Sequence, residues 1–445
     1  MMNVIDEALH HFVEIIKLDT TNKLQTEYKV AEYLKEVLRK EQIESEIVYS
    51  PNNRASFISR LTGTNSTSKP IVLLSHNDVV EAREEDWLFP PFSATIHDKK
   101  IWGRGTLDTK QLTIMHLMAF IHLKRLNKPL NCDVYFIATA DEENGSKEGM
   151  EFIAREYPEL FQNAIILSEG GGFTVHSEDE VFMLFASGEK GTAKVSVTAS
   201  GVGGHAGSPP EVQAVMELTD ALDSLMKMEI PSDNYPILQM LQQELKFLMN
   251  KGNEQGQLVK KLYDYMKAIT FTPEKINVGG DQLNVIPYKA EAILEFRTLP
   301  NQTKEQFESF MKEWPIPSTV KCTLLSFEKG YESDPLDEII IRFKEQSSNY
   351  GTKVKWVPFT ALGRTDGRFV GDAASQIYGL SPTLTPFTEV LQRVHNKDEH
   401  IEVDSFNYGV NLMIAVLEDF CIRNGGGASV SGTKRETEPI NRFFT

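Results

Sequence analysis

The sequence is poor in cysteine: three residues in 445, Cys132, Cys322 and Cys421, with no CxxC pair. That argues against a disulfide framework and against a cysteine-rich zinc site. It is also short of positive charge, with 46 Lys and Arg against 63 Asp and Glu, for a net charge of −17. Such a balance disfavours a nucleic-acid or anionic-membrane surface, though not a local basic pocket for an anionic substrate. No window approaches the roughly 18 uninterrupted apolar residues of a membrane span. The start, MMNVIDEALHHFVEIIKLDTTNK, is amphipathic at helical spacing and carries acids early. Lacking a basic start and a continuous apolar core, it does not read as a signal peptide, so a cytoplasmic location is expected.

What is present is ordinary globular material. Apolar residues make up 41% and charged residues 24%, and the length suffices for two or three domains with a sizeable core. Residues 3–18 and the stretch from Val30 to Arg39 read as helices. SEIVYS, ASFISRL, PIVLLSH, CDVYFIATA and NAIILSEGG read as strands, with a helix over 110–125 between the third and fourth. Continuous apolar runs such as IVLLS and VYFIA suit strands buried on both faces, and their alternation with helices predicts a mixed, mainly parallel α/β sheet flanked by helices. Near Gly188 the character changes. TAKVSVTAS alternates like a half-exposed strand, a long helical region over 211–269 is broken at EIPSDNYPI, and two strands, a helix at 303–313 and VKCTLLSFE follow. The expected organisation is a first catalytic part at 1–188, an inserted α+β sandwich at 189–330, a second catalytic part at 331–422, and a polar, Gly/Ser/Thr-rich disordered tail at 423–445.

Several segment ends carry acids or histidines. LLSHNDVV places His76 and Asp78 two apart, on one face of a strand end, so that Asp78 can accept a hydrogen bond from the ring, as beside a metal-bound histidine. The alternative is a strand-end histidine paired with a nearby acid. GRGTLDTK sets Asp108 at the mouth of a helix, where it could equally be a cap. IATADEENGS carries Glu142 and Glu143 back to back. On an extended backbone neighbouring side chains point to opposite sides, so one acid could bind a metal while the other holds a water as general base. The alternative is a solvated acidic loop. LSEGGG closes another strand-like run with Glu169, and RVHNKDEHI offers His395 and His400, each of which alone could be a surface group. Together these segment ends would converge at the carboxyl edge of an open α/β sheet. A His/Asp/Glu set without cysteine suits a two-metal hydrolytic centre.

The motifs SHNDVV, PPFSATIHDKKIWGRGTLDTK, TADEENGS, SEGGG, GGHAGSPP, LNVIP, FRTLP, GRTDGRF and HNKDEHI occur in order from Ser75 to Ile401, within a resemblance that covers essentially residues 3–422. In them the sequence resembles the di-zinc hydrolase family of acetylornithine deacetylase, succinyl-diaminopimelate desuccinylase, aminoacylase, glutamate carboxypeptidase and carboxypeptidase S. Its long 211–269 region and SEGGGF lean toward the carboxypeptidase S and N-acyl-amino-acid hydrolase branch. The resemblance implies a zinc exopeptidase-like fold with a lid, two Zn²⁺ ions per subunit, and Co²⁺ or Mn²⁺ as substitutes. It implies that His76 and Glu169 bind one zinc, Glu143 and His395 the other, and that Asp108 bridges them. Asp78 would orient His76, Glu142 would be the general base, His205 would stabilise the oxyanion, and Asn284 and Arg297 would contact substrate. The Asp108–Thr109 peptide bond would be cis. The implied reaction is hydrolysis of an amide next to a free carboxylate, in a peptide or an N-acyl amino acid. A homodimer through the lid is implied as well, as are no nucleic acid and no membrane partner.

Two other readings stay open. One is a catalytically silent binding relative of the same fold, against which the intact Glu142 and ligand set argue. The other takes GVGGHAG as a dinucleotide loop. There Ser208 reads as an N-cap, Pro209 as the first helical residue and Glu211 as completing a capping box, which starts the helix too late for a phosphate.

Overall fold

Ile71–His76 is buried at all six positions, which suits a strand covered on both faces. In the computed structural model it lies between Val134–Thr139 and Ile165–Ser168, parallel to both, and Gln376–Gly379 extends this parallel centre beyond Ile165–Ser168. Antiparallel pairings flank it. Ala55–Leu61 joins Val134–Thr139 and carries Ser45–Tyr49 beyond, while at the other side Gly379 pairs with Ala186. The sheet is therefore mixed, with the parallel ladders in the middle. Residues 3–65, 68–177, 180–279, 284–350 and 354–422 are described by the structure. The tail at 423–445, expected to be disordered, lies outside the described residues.

The described residues divide into two compact units, the second made of Ser187–Glu332 and Pro358–Arg364 and the first of the remainder. In the first unit the helix Lys110–Arg125 buries 13 of its 16 residues. A helix apolar on nearly all sides belongs inside a core. Phe12 of the helix Val4–Ile16 stacks on Phe406 of the helix Val403–Ile422, with ring centroids 4.5 Å apart. No helix of the described residues is long and apolar enough to cross a membrane.

His116, within Lys110–Arg125, is fully buried edge-on to Phe136, and neither ring nitrogen has a hydrogen-bond partner among the described residues. Burial pushes its pKa down to about 3. The unfolded chain, with an ordinary histidine value of about 6.5, binds the proton first. The stabilisation is thus complete above that value and is lost as pH falls toward the folded one. Between pH 7 and pH 5 this one group should cost about 2 kcal/mol of stability. Urea unfolding of His116→Leu at the two pH values should show a pH-dependent loss smaller by that amount. An unchanged loss would mean that His116 is not a buried neutral ring.

The second unit holds a four-stranded antiparallel sheet in the order Thr270–Val278, Lys289–Thr298, Gly191–Ser200, Val320–Glu328. Every second residue of Lys289–Thr298 is buried, the period of a strand with one covered face. Phe296 from that face meets Phe307 of the helix Lys304–Lys312 at 5.3 Å, edge to face. The 211–269 region is three helices, Ala214–Lys227, Pro236–Met249 and Glu254–Lys267. The second break, unmarked by proline, is made by Asn253, whose side chain accepts from the Gly256 N–H at 2.8 Å. The expected cap at Ser208 is not formed, since the first helix starts at Ala214. Pro210 disfavours helical dihedrals at Pro209, as Pro209 does at Ser208, which keeps the chain extended through the Pro-Pro pair.

Candidate metal centre

Each ligand-type side chain of the first unit hangs from the end of a core element. His76 closes its strand, Glu169 follows Ile165–Ser168, and Glu142 and Glu143 follow Val134–Thr139. Asp108 precedes the Lys110–Arg125 helix and His395 follows the helix Phe387–Arg393. Parallel strands deliver their carboxyl ends to one edge, the usual ligand position of such sheets. There the side chains form two trios, His76/Asp108/Glu169 and Asp108/Glu143/His395, each with ligand atoms within 4.8 Å of one another. Asp108 belongs to both. Its Oδ1 is 3.1 Å from His76 Nε2 and its Oδ2 is 3.0 Å from His395 Nε2. Glu169 Oε2 stands 3.2 Å from His76 Nε2, and Glu143 Oε2 stands 3.1 Å from His395 Nε2. The Asp108–Thr109 peptide is cis.

The electrostatics fit a cation. Burial raises the Glu143 and Glu142 carboxyls, Glu142 also by the charge of Glu169, and burial raises Glu169 to about 7 against the pull of His76. Burial opposes a charged His76, yet Glu169, Asp108 and Asp78 together raise its pKa, and hydrogen bonds to Asp108 and Glu143 carry His395 to about 10. The surrounding carboxylates thus favour positive charge at both trios. Glu143 Oε1 is buried without a hydrogen-bond partner among the described residues. A metal ion on the Asp108/Glu143/His395 trio would supply that partner, and an ion on either trio would displace protons from its ligands.

Asp78 is completely buried but holds His76 differently from the expected carboxylate–ring bond. His76 Nδ1 is 3.0 Å from the Asp78 backbone carbonyl and 3.6 Å from its carboxylate. The carboxylate instead accepts from Asn22 Nδ2 at 2.7 Å and from the N–H groups of Glu142 and Glu143, each at 3.1 Å. The two glutamates lie not on extended chain but on a 3₁₀ turn, Glu142–Asn144, entered through Asp141 at φ 65° and left through Gly145 at φ 94°. Successive side chains on such a turn diverge by about 120°. Only Glu143 joins a trio.

The Asp141 carboxylate accepts from Arg54 Nη1 at 2.7 Å and from the Glu148 N–H at 3.0 Å, while Arg54 Nη2 pairs with Glu27. All three side chains are buried. Arg54→Met would leave two buried carboxylates unpaired and should cost about 3–5 kcal/mol in denaturant unfolding. A loss under 1 kcal/mol would show that the pair is dispensable.

Two acids in this network were not singled out from the sequence. Asp366, in GRTDGRF, is buried and accepts from Thr139 Oγ1 at 2.6 Å and Ser146 Oγ at 2.5 Å, bracketing the glutamate turn. Glu399, in HNKDEHI, is wholly buried against Arg104 and the loop before Asp108. Their one sequence signal was membership of motifs already noted. His400, by contrast, joins neither trio: its ring packs on Trp102 with centroids 4.1 Å apart, and Nδ1 faces the Asp398 carbonyl.

The other three candidates are in the second unit. His205 is exposed, and its two-residue strand pairs with Val285–Ile286, while the Ala206 N–H donates to the Asn284 carbonyl at 3.0 Å. Asn284 itself has φ 70°. These two are neighbours. Arg297 is near the far end of Lys289–Thr298, where Nη2 pairs with Glu295 at 2.7 Å and Nη1 reaches Thr192 at 3.3 Å.

A helix-flanked mixed sheet with two His/carboxylate trios sharing one aspartate at its carboxyl edge is the architecture of a metal-dependent hydrolase. The family model of Peptidase family M20/M25/M40 matches residues 72–419, and the chain belongs to that family, whose members are metal-dependent hydrolases acting on amide bonds. It is 26% identical over 391 residues to the N-fatty-acyl-amino acid synthase/hydrolase PM20D1 of Homo sapiens, covering 82% of this chain and 76% of the relative. It is 27% identical over 416 residues to a protein of Staphylococcus aureus (strain MRSA252) named "Probable succinyl-diaminopimelate desuccinylase", covering 90% and 94%. Among solved structures, the M20 family metallo-carboxypeptidase Sso-CP2 from Sulfolobus solfataricus superposes with a TM-score of 0.70 at 19% identity, over 94% of this chain and 99% of that one.

Proposed function

We propose that the chain is a two-zinc hydrolase that cleaves an amide bond next to a free carboxylate, in an N-acyl amino acid or at a peptide C-terminus. The observation that carries this reading is the sharing of Asp108, one oxygen to each trio. A carboxylate so divided could serve two ions, with His76 and Glu169 holding one and Glu143 and His395 the other. The human and staphylococcal relatives, both named for acyl groups on amino acids, support the substrate class.

Zinc, when bound, supplies Lewis acidity and a water acidified toward neutral pH. The rest falls to the chain. Asp78 fixes the backbone of the glutamate turn. Glu142, outside both trios, accepts the proton of the attacking water and delivers it to the leaving nitrogen. The Gly207 N–H donates to His205 Nδ1 at 3.0 Å, so the ring proton is on Nε2, the form needed to donate to an oxyanion. Asn284 and Arg297 are the proposed substrate contacts. Arg297 would exchange or share its Glu295 partner to clamp a carboxylate in bidentate geometry. A cytoplasmic location and a homodimer through residues 189–330 belong to the same reading, on the resemblance alone.

The test is a screen of N-acyl amino acids and dipeptides with added Zn²⁺, Co²⁺ or Mn²⁺. Chelator-treated protein and Glu142→Ala serve as controls. Turnover that needs the metal and Glu142 is the expected result. Activity equal to wild type in Glu142→Ala on every substrate tried would overturn the enzymatic assignment and favour a silent binding relative.

A further inference from the structure

We infer that Glu399 is a positioning residue that sets the distance between the two ends of the metal centre, holding the Asp108 loop in its ligand-ready shape before any metal arrives. The inference rests on the two-zinc reading above. Both carboxylate oxygens of Glu399 are spent on one short stretch of chain. Oε2 accepts from Arg104 Nη1 at 2.7 Å and the Gly105 N–H at 3.2 Å, and Oε1 accepts from the N–H groups of Leu107 at 2.7 Å and Asp108 at 3.2 Å. The Glu399 carbonyl adds a fifth bond, accepting from the Gly103 N–H at 2.9 Å. A carboxylate has about four lone-pair positions, so this one is saturated by the loop that presents Asp108.

The other end of the tie matters equally. Glu399 follows His395 by four residues, across a turn that includes His395 at φ 58° and Asp398 at φ 60°. The Asp398 carboxylate accepts from the Leu88 N–H at 2.6 Å, which pins the same turn to the segment before the Asp108 loop. Glu399 therefore joins the shared aspartate to the most exposed ligand of the set, His395, whose side chain is 52% accessible. Neither Glu399 oxygen lies within hydrogen-bond reach of a trio side chain; it acts through the Asp108 backbone and the His395 turn.

The consequence falls on metal affinity. Glu399→Gln keeps the shape but turns one acceptor oxygen into an NH₂ donor, which must face either Arg104 and Gly105 or Leu107 and Asp108. Partners that orient metal ligands typically contribute about 10- to 100-fold in affinity. Zinc titrated calorimetrically into metal-free protein should bind E399Q weaker by that factor. A merely structural Glu399 would lower the melting temperature of the metal-free protein and leave the zinc affinity of its folded form unchanged. Affinity within twofold of wild type overturns the inference. A wild type that takes up no zinc refutes the two-zinc reading instead, so the two failures are distinguishable.

Should E399Q not fold, the wild type alone decides. Hydrogen–deuterium exchange of a peptide spanning 103–109 should be slow in metal-free protein and little changed by Zn²⁺, because the loop amides are already on Glu399. Fast exchange that slows only after zinc is added would mean that the metal orders the loop, and the inference falls.

Discussion

Glu142→Gln is expected to lower amide hydrolysis about 10²- to 10⁴-fold, the range of a lost general base, while zinc uptake stays at the wild-type level. The two neighbours on the turn separate cleanly. The N–H groups of both hold the same Asp78 carboxylate, so changing either side chain leaves the backbone anchor intact. Glu143 puts Oε2 against His395 and keeps a buried, unpartnered Oε1, whereas Glu142 belongs to neither trio. Glu143→Gln should therefore lose zinc and activity together, while Glu142→Gln loses turnover alone. Metal analysis beside kcat on the same preparations checks the division. Equal zinc loss in the two variants would contradict it.

The features legible in the sequence were those written locally. IVLLSH and VYFIAT announce strands covered on both faces because they are short apolar runs rich in β-branched and aromatic residues, and the ligand types sit where those runs stop. What could not be read depends on partners far along the chain. The glutamate turn is entered through Asp141 in a left-handed conformation, and the charged partner of its buried carboxylate, Arg54, is 87 residues away. The divergence of Glu142 and Glu143 was expected for an extended chain; it arises from a helical turn instead. Asp366 reaches Ser146 and Thr139 across 220 and 227 residues, and Glu399 reaches the Asp108 loop across more than 290. A buried acid whose donors are that remote leaves no periodicity or spacing to find. Pro358–Arg364 belongs to the second unit for a similar reason: the Lys190 N–H donates to the Ala361 carbonyl, a pairing that no local pattern marks. The Ser208 cap was a local signal that failed locally, since the adjacent prolines disfavour the helical dihedrals a cap requires at its next residues.

Asp108→Ala should remove zinc from both trios at once. Every other ligand serves one: His76 and Glu169 meet on one side, Glu143 and His395 on the other. Without the shared carboxylate each side keeps two protein donors, and catalytic zinc sites are built on three. The expected stoichiometry after dialysis is near zero, with activity no higher than that of chelator-treated wild type. His395→Ala sets the contrast, since it strips one trio and leaves His76, Asp108 and Glu169 complete, so about one zinc should remain. Asp108→Asn falls between them: the amide keeps one carbonyl oxygen, 3.0–3.1 Å from one or the other histidine according to its flip, and turns an NH₂ toward the other trio. Metal analysis of the three variants in parallel gives the order, near zero for the alanine, up to one for the asparagine and about one for His395→Ala. An Asp108→Ala protein that keeps one tightly bound zinc would mean that one trio binds without the aspartate, and the two sites would then be independent rather than joined through it.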